Sequence, residues 1–328
     1  MKTLQTSAPT DMALTEALQT LGLYPMRLER RPHAYSSSFP IEELTIQCAN
    51  GSMLEIIFKD LDRGRLIRAA IEARPEFLYD PMREIHLYEQ VLSPNGLGAR
   101  LYGIAVEPTF NRYWLFLERI KGIELHQFGE IEVWCAAARW LANFHTRFAG
   151  SDLRLPDSLL VQEPHSDLRW LRRALAFHTA DDLSEGTRAL NRVAATYDLL
   201  MGRLAMQPRT LLHGEFYSTN ILIEQSDKPH VVPVDWENAA IGPALLDLAA
   251  LIAGPWPETG RLAIIRAYHE ALPEHAATEF TRFLEDLAWC RLRLAIQWLG
   301  WSPTWQPPAE KHHDWLGDVI TLVEELDL

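Results

Sequence analysis

The sequence predicts an α+β protein in which a small antiparallel-sheet region is followed by a larger, mainly helical region. Two strand-like runs, Ile41–Cys48 and Met53–Lys59, are joined by a turn containing Asn50-Gly51. That dipeptide is typical of hairpins because it accepts positive φ. Beyond about residue 120 amphipathic helical segments predominate, beginning with Glu130–Phe148. We therefore expect the sheet early in the chain and the helices after it.

Composition narrows the classes of partner. The 328 residues carry a formal charge of −13, whereas nucleic-acid binding favours a basic surface. The three cysteines are scattered without metal-binding spacing, which indicates reduced thiols. The N-terminus lacks the apolar core of a signal peptide, and no apolar run reaches membrane-spanning length. We expect a cytoplasmic protein with no nucleic-acid or membrane partner, and the oligomeric state stays open.

The first third of the chain supplies the sheet and its accompanying helices. Thr10-Asp11 is a capping signal for a helix through about Leu21, and Met26–Tyr35 can form an edge strand despite its proline. Asp80-Pro81 begins a helix through about Leu92, because proline suits the first helical turn. A nearly all-apolar strand is expected inside the sheet. This strand is Tyr113–Ile120. A helix over Leu61–Ala73 and a strand over Arg100–Val106 are predicted before it.

The rest of the chain is predicted to be helical around one further hairpin. Asn220–Glu224 and Val231–Val234 are short apolar strands on either side of the polar turn Gln225–Pro229. The helices, besides Glu130–Phe148, are predicted over Asp167–Phe177, Glu185–Met206, Leu245–Ile252, Glu258–Ala271, Ala276–Leu299 and Asp314–Leu326.

Polar side chains lie just outside this second hairpin. His213, Glu215 and Asn220 precede its first strand, and Asp235 and Glu237 follow its second. Each alone is commonly a turn or cap residue. Together, an amide and a carboxylate with a second carboxylate nearby suit the ligation of Mg²⁺ plus one acid/base group.

The same stretch resembles the aminoglycoside phosphotransferase and choline kinase family, whose members are relatives of the protein kinases. The catalytic loop of that family reads H-G-D-x-x-x-x-N, and a later strand ends in I-D-W/F-E. Residues 213–220 read HGEFYSTN and residues 234–237 read VDWE, while Gly242-Pro243 and Asp247-Leu248-Ala249 also fit. The departure is Glu215, where the family has aspartate.

The resemblance implies a bilobal, protein-kinase-like fold. A nucleotide-binding lobe would span residues 1–118, a catalytic and substrate-binding helical lobe residues 119–328, and the hinge about 117–122. Lys59 then matches the lysine that holds nucleotide phosphates, and Glu84 matches the helix glutamate that positions it. Glu89 is an alternative on another face of that helix. Without the family context, Lys59 would be interpreted as an ordinary exposed lysine of a strand.

Further nucleotide contacts follow from the same resemblance. The segment containing Ser37 and Ser38 takes the place of the glycine-rich phosphate loop, although it has no glycine and a plain turn is the alternative. Around the hinge, Glu118 and Ile120 lie where backbone groups would contact an adenine edge.

In the helical lobe the resemblance assigns catalytic and metal roles. Glu215 takes the position of the base, and His213 braces the loop. Asn220 and Asp235 are the Mg²⁺ ligands. Glu237 contacts a substrate amine or supports the loop.

Acceptor contacts are the least defined part of the site. Trp289 and Trp298 belong to an aromatic cluster that is either core or a surface for a cationic acceptor. The expected activity is transfer of phosphate from ATP or GTP to a hydroxyl of an antibiotic, amino alcohol or sugar. A glutamate carboxylate reaches about 1–1.5 Å beyond that of aspartate. A non-catalytic pseudokinase therefore stays as the alternative, and a protein kinase is disfavoured because the glycine loop is absent.

Overall fold

The computed structural model describes residues 8–34, 38–150, 154–178, 184–224, 229–274, 276–303 and 313–328. The chain divides into two compact units. Unit 1 consists of residues 1–121 and 155–158, and unit 2 consists of residues 122–154 and 159–328.

Unit 1 is built, within the described residues, on a five-stranded antiparallel sheet. The elements are α1 (Asp11–Thr20), β1 (Pro25–Pro32), β2 (Ile41–Cys48), β3 (Met53–Asp60), α2 (Arg68–Ala73), α3 (Pro81–Leu87), β4 (Leu101–Glu107) and β5 (Arg112–Glu118). The strands lie in the order β1-β2-β3-β5-β4, so the apolar strand β5 is interior as expected. Gly51, at φ +82°, makes the turn between β2 and β3.

Side chains along β3 alternate between the core of unit 1 and the opposite face of the sheet, where Lys59 lies. Ile56 and Phe58 are buried in the core of unit 1, against which α1 packs. Phe58 stacks on Phe116 of β5 with ring centroids 5.1 Å apart. Lys59 belongs to the opposite face, because side chains alternate along a strand. The register pairs Lys59 with Ile41 of β2.

The helix predicted over Leu61–Ala73 is wrong in its first half. The Leu61 amide donates to the Tyr113 carbonyl at 2.9 Å, which keeps this residue on the sheet. A short 3₁₀ turn follows over Arg63–Arg65, and α2 begins only after Ile67, whose backbone is extended. The helix begun by α3 continues to Leu92 as a π-type turn, so its predicted extent is confirmed.

Asp60 makes the stability of unit 1 depend on pH. Burial raises the pKa of its carboxyl to about 6. The hydrogen bond from the Asp62 amide and the charge of the Arg65 guanidinium lower the pKa, but by less. Because the folded pKa lies above the unfolded value of 3.8, this group favours folding most at low pH and least above pH 6. We expect Asp60→Asn to raise the free energy of unfolding by about 2–3 kcal/mol at pH 8.

The difference between Asp60→Asn and wild type should disappear towards pH 4, where both side chains are neutral. Denaturant unfolding of the two proteins from pH 4 to 8 measures this. A less stable variant at pH 8 would show that the pairing of Asp60 with Arg65 outweighs the cost of burial.

Unit 2 is mainly helical with, among its described residues, two three-stranded sheets. The strands are β6 (Ile123–Glu124), β7 (Leu160–Val161), β8 (Arg209–Leu212), β9 (Ile221–Glu224), β10 (His230–Pro233) and β11 (Ala240–Pro243). The hairpin β9–β10 is antiparallel, as expected, and β6 pairs with β9 at its edge. The helices are α4 (Ile131–Arg147), α5 (Pro164–His178), α6 (Glu185–Ala195), α7 (Tyr197–Ala205), α8 (Leu245–Leu251), α9 (Glu258–Ala271), α10 (Phe280–Leu299) and α11 (Trp315–Glu325).

Two helix predictions in unit 2 need correction. The single helix over Glu185–Met206 is interrupted at Thr196, whose amide and hydroxyl both bond to the Arg192 carbonyl and end α6. The helix predicted from Ala276 begins at Phe280, because the Glu279 side chain caps its first turn. Residues 225–228 of the predicted hairpin turn lie outside the described residues.

Helix α4 packs against α9 and strand β8, and α10 packs against α8. Of the helices that the structure describes, none combines the length and apolarity needed to cross a membrane.

Candidate active site

The loop between β8 and β9, residues 213–220, has a conformation that requires glycine at its second position. Gly214 has φ +85°, which L side chains rarely adopt. A Cβ added there would lie 2.0 Å from the Asn238 carbonyl oxygen. The glycine therefore allows the loop to pass directly over the backbone that follows β10.

His213 braces this loop from a fully buried position. Its Nε2 lies 3.0 Å from the Val234 carbonyl, which can only accept, so Nε2 carries the proton. Its Nδ1 then accepts the amide proton of Glu215 at 3.3 Å. Both ring nitrogens are therefore hydrogen-bonded to backbone groups, one as donor and one as acceptor. This arrangement makes His213 a structural support of the loop.

A buried carboxylate anchors the same loop from below. Asp247 of α8 is 2% exposed and accepts the backbone amides of His213 at 2.7 Å and Gly214 at 3.0 Å. His145 of α4 donates to it through Nε2 at 3.3 Å. The Tyr268 hydroxyl lies 2.8 Å from Nδ1 of the same histidine and donates to it. Burial raises the pKa of the Tyr268 phenol, which keeps that donor protonated.

The sequence around Asp247 carries a signal beyond the match to the family motif. The helix reads LLDLAAL, and a carboxylate inside an otherwise apolar run must find buried partners. Its position as the anchor of the loop was not predicted.

Tyr217 lies at the centre of the loop. Its amide donates to the Glu215 carbonyl at 2.7 Å, and its own carbonyl accepts the Asn220 amide at 2.8 Å. Its hydroxyl accepts a hydrogen bond from the indole N–H of Trp298 on α10. Burial raises the pKa of the Tyr217 phenol, so the group stays neutral. One residue thus connects Glu215 and Asn220 to the aromatic cluster of the C-terminal helices.

Asn220 and Asp235 offer oxygen ligands suited to Mg²⁺. The Asn220 Nδ2 donates to the Glu215 carbonyl at 3.0 Å, which leaves the amide oxygen as its ligand atom. The Asn220 carbonyl accepts the Val234 amide at 2.9 Å and so ties the two strand ends together. Asp235 has φ +66°, a strained conformation that is common at functional sites. An amide oxygen and a carboxylate fit a hard cation that also binds phosphate oxygens.

The other acceptor-side residues differ in their surroundings. Glu237 is nearly buried directly after Trp236, whose fully buried ring packs 4.4 Å from that of His213. Trp289 is 2% exposed, and the Arg203 guanidinium lies over its ring. Trp298 is partly exposed. It stacks on Trp315 and lies beside Trp301, with ring centroids 5.7 and 5.4 Å away.

In unit 1 the predicted lysine and glutamate form a buried ion pair. Lys59 Nζ lies 2.8 Å and 3.0 Å from the two carboxylate oxygens of Glu84 on α3. The side chains are 7% and 1% exposed. Glu89, the alternative partner, is exposed on the same helix. This bidentate arrangement fixes the ammonium group at one point of the sheet.

The remaining predicted nucleotide contacts lie around the same sheet. The Ser38 carbonyl accepts the Ile67 amide at 3.0 Å, while Ser37 lies outside the described residues. Glu118 ends β5 with its amide bonded to the Arg100 carbonyl at 2.8 Å. Ile120, two residues later, is half-buried.

Solved structures with this fold include several small-molecule kinases. The choline kinase LicA of Streptococcus pneumoniae is 14% identical with a TM-score of 0.61, covering 97% of this chain and 98% of that one. An ethanolamine kinase of Plasmodium vivax is 10% identical with a TM-score of 0.59, covering 99% and 91%. The spectinomycin phosphotransferase APH(9)-Ia, in complex with ADP and spectinomycin, is 12% identical with a TM-score of 0.52, covering 97% and 95%. These likenesses confirm the predicted protein-kinase-like fold.

Sequence comparison gives the family. No match was found among curated proteins. The model of the phosphotransferase enzyme family, APH, matches residues 65–284 and thus spans the loop, the second hairpin and α8. The chain belongs to the phosphotransferase enzyme family.

Proposed function

We propose that this protein transfers the γ-phosphate of ATP or GTP to a hydroxyl group of a small molecule with the help of Mg²⁺. In this proposal residues 1–118 form the nucleotide-binding lobe and residues 119–328 the catalytic lobe. One observation carries the proposal: a single braced loop presents Glu215 and Asn220 next to the strained Asp235. Such pre-organisation is expected where a metal and a proton acceptor must act together.

Nucleotide binding is assigned to unit 1. Lys59, oriented by Glu84, holds the phosphates through its ammonium group. Ser38 and Ser37 supply hydroxyl and backbone donors in place of glycine-loop amides. Backbone groups at Glu118 and Ile120 contact the base.

The chemical step is assigned to unit 2. The acceptor oxygen forms a bond to the γ-phosphorus, the bond from that phosphorus to the β,γ-bridging oxygen breaks, and the diphosphate leaves. The acceptor proton passes to the Glu215 carboxylate. Asn220 and Asp235 hold Mg²⁺, which neutralises charge on the phosphates when it is bound.

The extra methylene of Glu215 bears on the shape of the acceptor. The Glu215 carbonyl accepts hydrogen bonds from the Tyr217 amide and the Asn220 side chain, so the backbone of Glu215 is fixed. The longer reach therefore falls on the carboxylate, which suits an acceptor hydroxyl lying about 1–1.5 Å further from the loop.

Three further observations support the class of acceptor proposed. The protein carries a charge of −13, and Trp298 brings partly exposed aromatic surface to the loop through Tyr217. Both features suit a cationic or amphipathic small molecule. The structural relatives are named for choline, ethanolamine and spectinomycin, which supports a small hydroxyl-bearing acceptor.

A pseudokinase is the second candidate, and Glu215 is the observation that favours it. A protein that has lost transfer and binds only a nucleotide can replace its base without consequence. The buried Lys59–Glu84 pair argues for retained nucleotide binding in either case.

Metal-dependent nucleotide binding tests the proposal without knowledge of the acceptor. At 100 times its Kd, Mg²⁺-ATP should stabilise the wild type by about 2.7 kcal/mol. Asp235→Ala should lose most of the Mg²⁺-dependent part of this stabilisation, because it removes the anionic ligand. Thermal unfolding with ATP, with and without Mg²⁺, measures both.

Asp198→Ala is the matched control, since Asp198 is an exposed aspartate in the first turn of α7. It should retain the full Mg²⁺-dependent shift. Equal shifts in Asp235→Ala and the wild type would contradict the metal assignment.

A further inference from the structure

We propose that Arg74, at the C-terminal end of α2, binds the nucleotide phosphates and thereby takes over part of the work of a glycine-rich loop. This inference rests on the proposed function, because it assumes that unit 1 binds a nucleotide through Lys59. It adds a phosphate-binding residue from the segment between β3 and α3, whereas Lys59, the serines and the hinge residues lie in other segments.

Arg74 contacts Ser38 directly. Its Nη1 lies 3.2 Å from the Ser38 hydroxyl and donates to it. Its backbone amide bonds to the Ala70 carbonyl at 2.8 Å, which fixes the residue at the end of the helix. The Ile67 amide, just before α2, binds the Ser38 carbonyl. Residues at both ends of α2 therefore bond to Ser38.

Ser38 leads into the strand that pairs with the lysine's strand. Ser38 lies three residues before Ile41, whose strand partner is Lys59. On its other side Arg74 donates through Nη2 to the Leu78 carbonyl at 3.4 Å.

That carbonyl also connects Arg74 to α3. The Leu78 carbonyl accepts Nη1 of Arg83 at 2.9 Å. Arg83 directly precedes Glu84, the partner of Lys59. The Leu78 carbonyl therefore accepts from Arg74 and also from Arg83, the residue next to Glu84 in the chain.

Charge explains why a second cation is useful there. A nucleoside triphosphate carries several negative charges, whereas the charge of Lys59 is shared with Glu84. Residues 33–40 read HAYSSSFP, and serine hydroxyls donate without adding charge. Arginine supplies both a fixed charge and a fork of donors that matches phosphate oxygens. Arg74 brings such a group to Ser38, at the end of the serine-rich sequence that lacks the glycines.

The ligand group recognised is the polyphosphate. Arg74 should therefore matter more for ATP than for ADP, and not at all for adenosine. The nearby Arg68 gives a matched control, because it lies on the same helix but is exposed and pairs with Glu72 four residues on.

Calorimetric titration of ATP, ADP and adenosine tests this without an acceptor. Arg74→Met keeps an unbranched apolar stem and removes the charge and the hydrogen-bond donors. We expect it to weaken ATP binding roughly 10- to 100-fold, the range for a lost hydrogen bond to a charged group. Adenosine affinity should stay unchanged. Arg74→Lys should recover part of the loss, and Arg68→Met should bind all three ligands like the wild type.

Lys59→Met distinguishes a failure of the role of Arg74 from a failure of the proposed nucleotide site. If it weakens ATP binding while Arg74→Met does not, the role of Arg74 is overturned and the proposed function stands. If neither variant weakens ATP binding, the nucleotide site itself is wrong. An equal loss for ATP and adenosine in Arg74→Met would also overturn the inference, because it would indicate a purely structural effect.

Discussion

Replacing Glu215 by Gln is expected to lower kcat by about 10²–10⁴-fold, the usual contribution of a general base. The substitution keeps the size of the side chain and removes only its ability to take the acceptor proton. Nucleotide affinity should change little, because Asn220 and Asp235 are unaltered. Steady-state kinetics with a hydroxyl acceptor and titration of Mg²⁺-ATP measure the two quantities.

Glu215→Asp, which restores the residue usual in the family, should also lower kcat, to a value between those of the wild type and Glu215→Gln. The backbone of residue 215 is held by Tyr217 and Asn220, so the shorter side chain would withdraw its carboxylate from the acceptor. A gain of activity in Glu215→Asp over an inactive wild type would identify the chain as a pseudokinase.

Gly214→Ala is expected to destabilise the fold by roughly 3–5 kcal/mol, since it combines backbone strain with overpacking. The added Cβ would meet the Asn238 carbonyl oxygen at 2.0 Å, and that atom belongs to backbone that cannot rotate away. The loop would have to move and would lose the bond from its amide to Asp247. Denaturant unfolding monitored by circular dichroism gives the difference.

Gly202→Ala serves as its control. Gly202 lies inside α7, and a Cβ added there meets nothing within 4 Å. Alanine should stabilise this helix by about 1 kcal/mol. A Gly214→Ala protein as stable as the wild type would show that the loop tolerates another path.

Local signals made parts of the fold predictable. The Asn50-Gly51 turn, the capped start of α1 and the proline that begins α3 each depend on a few neighbouring residues. The loop motif at residues 213–220 and the pair formed by Lys59 and Glu84 followed from the family resemblance. The pair is present in the structure, while the catalytic roles stay predictions.

Contacts between distant residues were not predictable from the sequence. Strands β7 and β11 pair across about eighty residues, through Leu160 and Ala240, and each is too short to give a strand pattern. The partners of Asp247 come from α4 and the loop. Arg74 bonds to Ser38, which lies 36 residues earlier in the chain. The break at Thr196 depends on one hydroxyl competing for a helix carbonyl.

Phosphate transfer itself is the most direct test of the central claim. The wild type would be incubated with Mg²⁺, γ-labelled ATP or GTP and pools of small hydroxyl compounds that include amino alcohols, sugars and aminoglycosides. The proposal predicts that label appears on one acceptor class, that the nucleoside diphosphate forms in equal amount, and that Glu215→Gln suppresses both. Nucleotide binding without any acceptor-dependent transfer across these pools would contradict the enzyme and favour the pseudokinase.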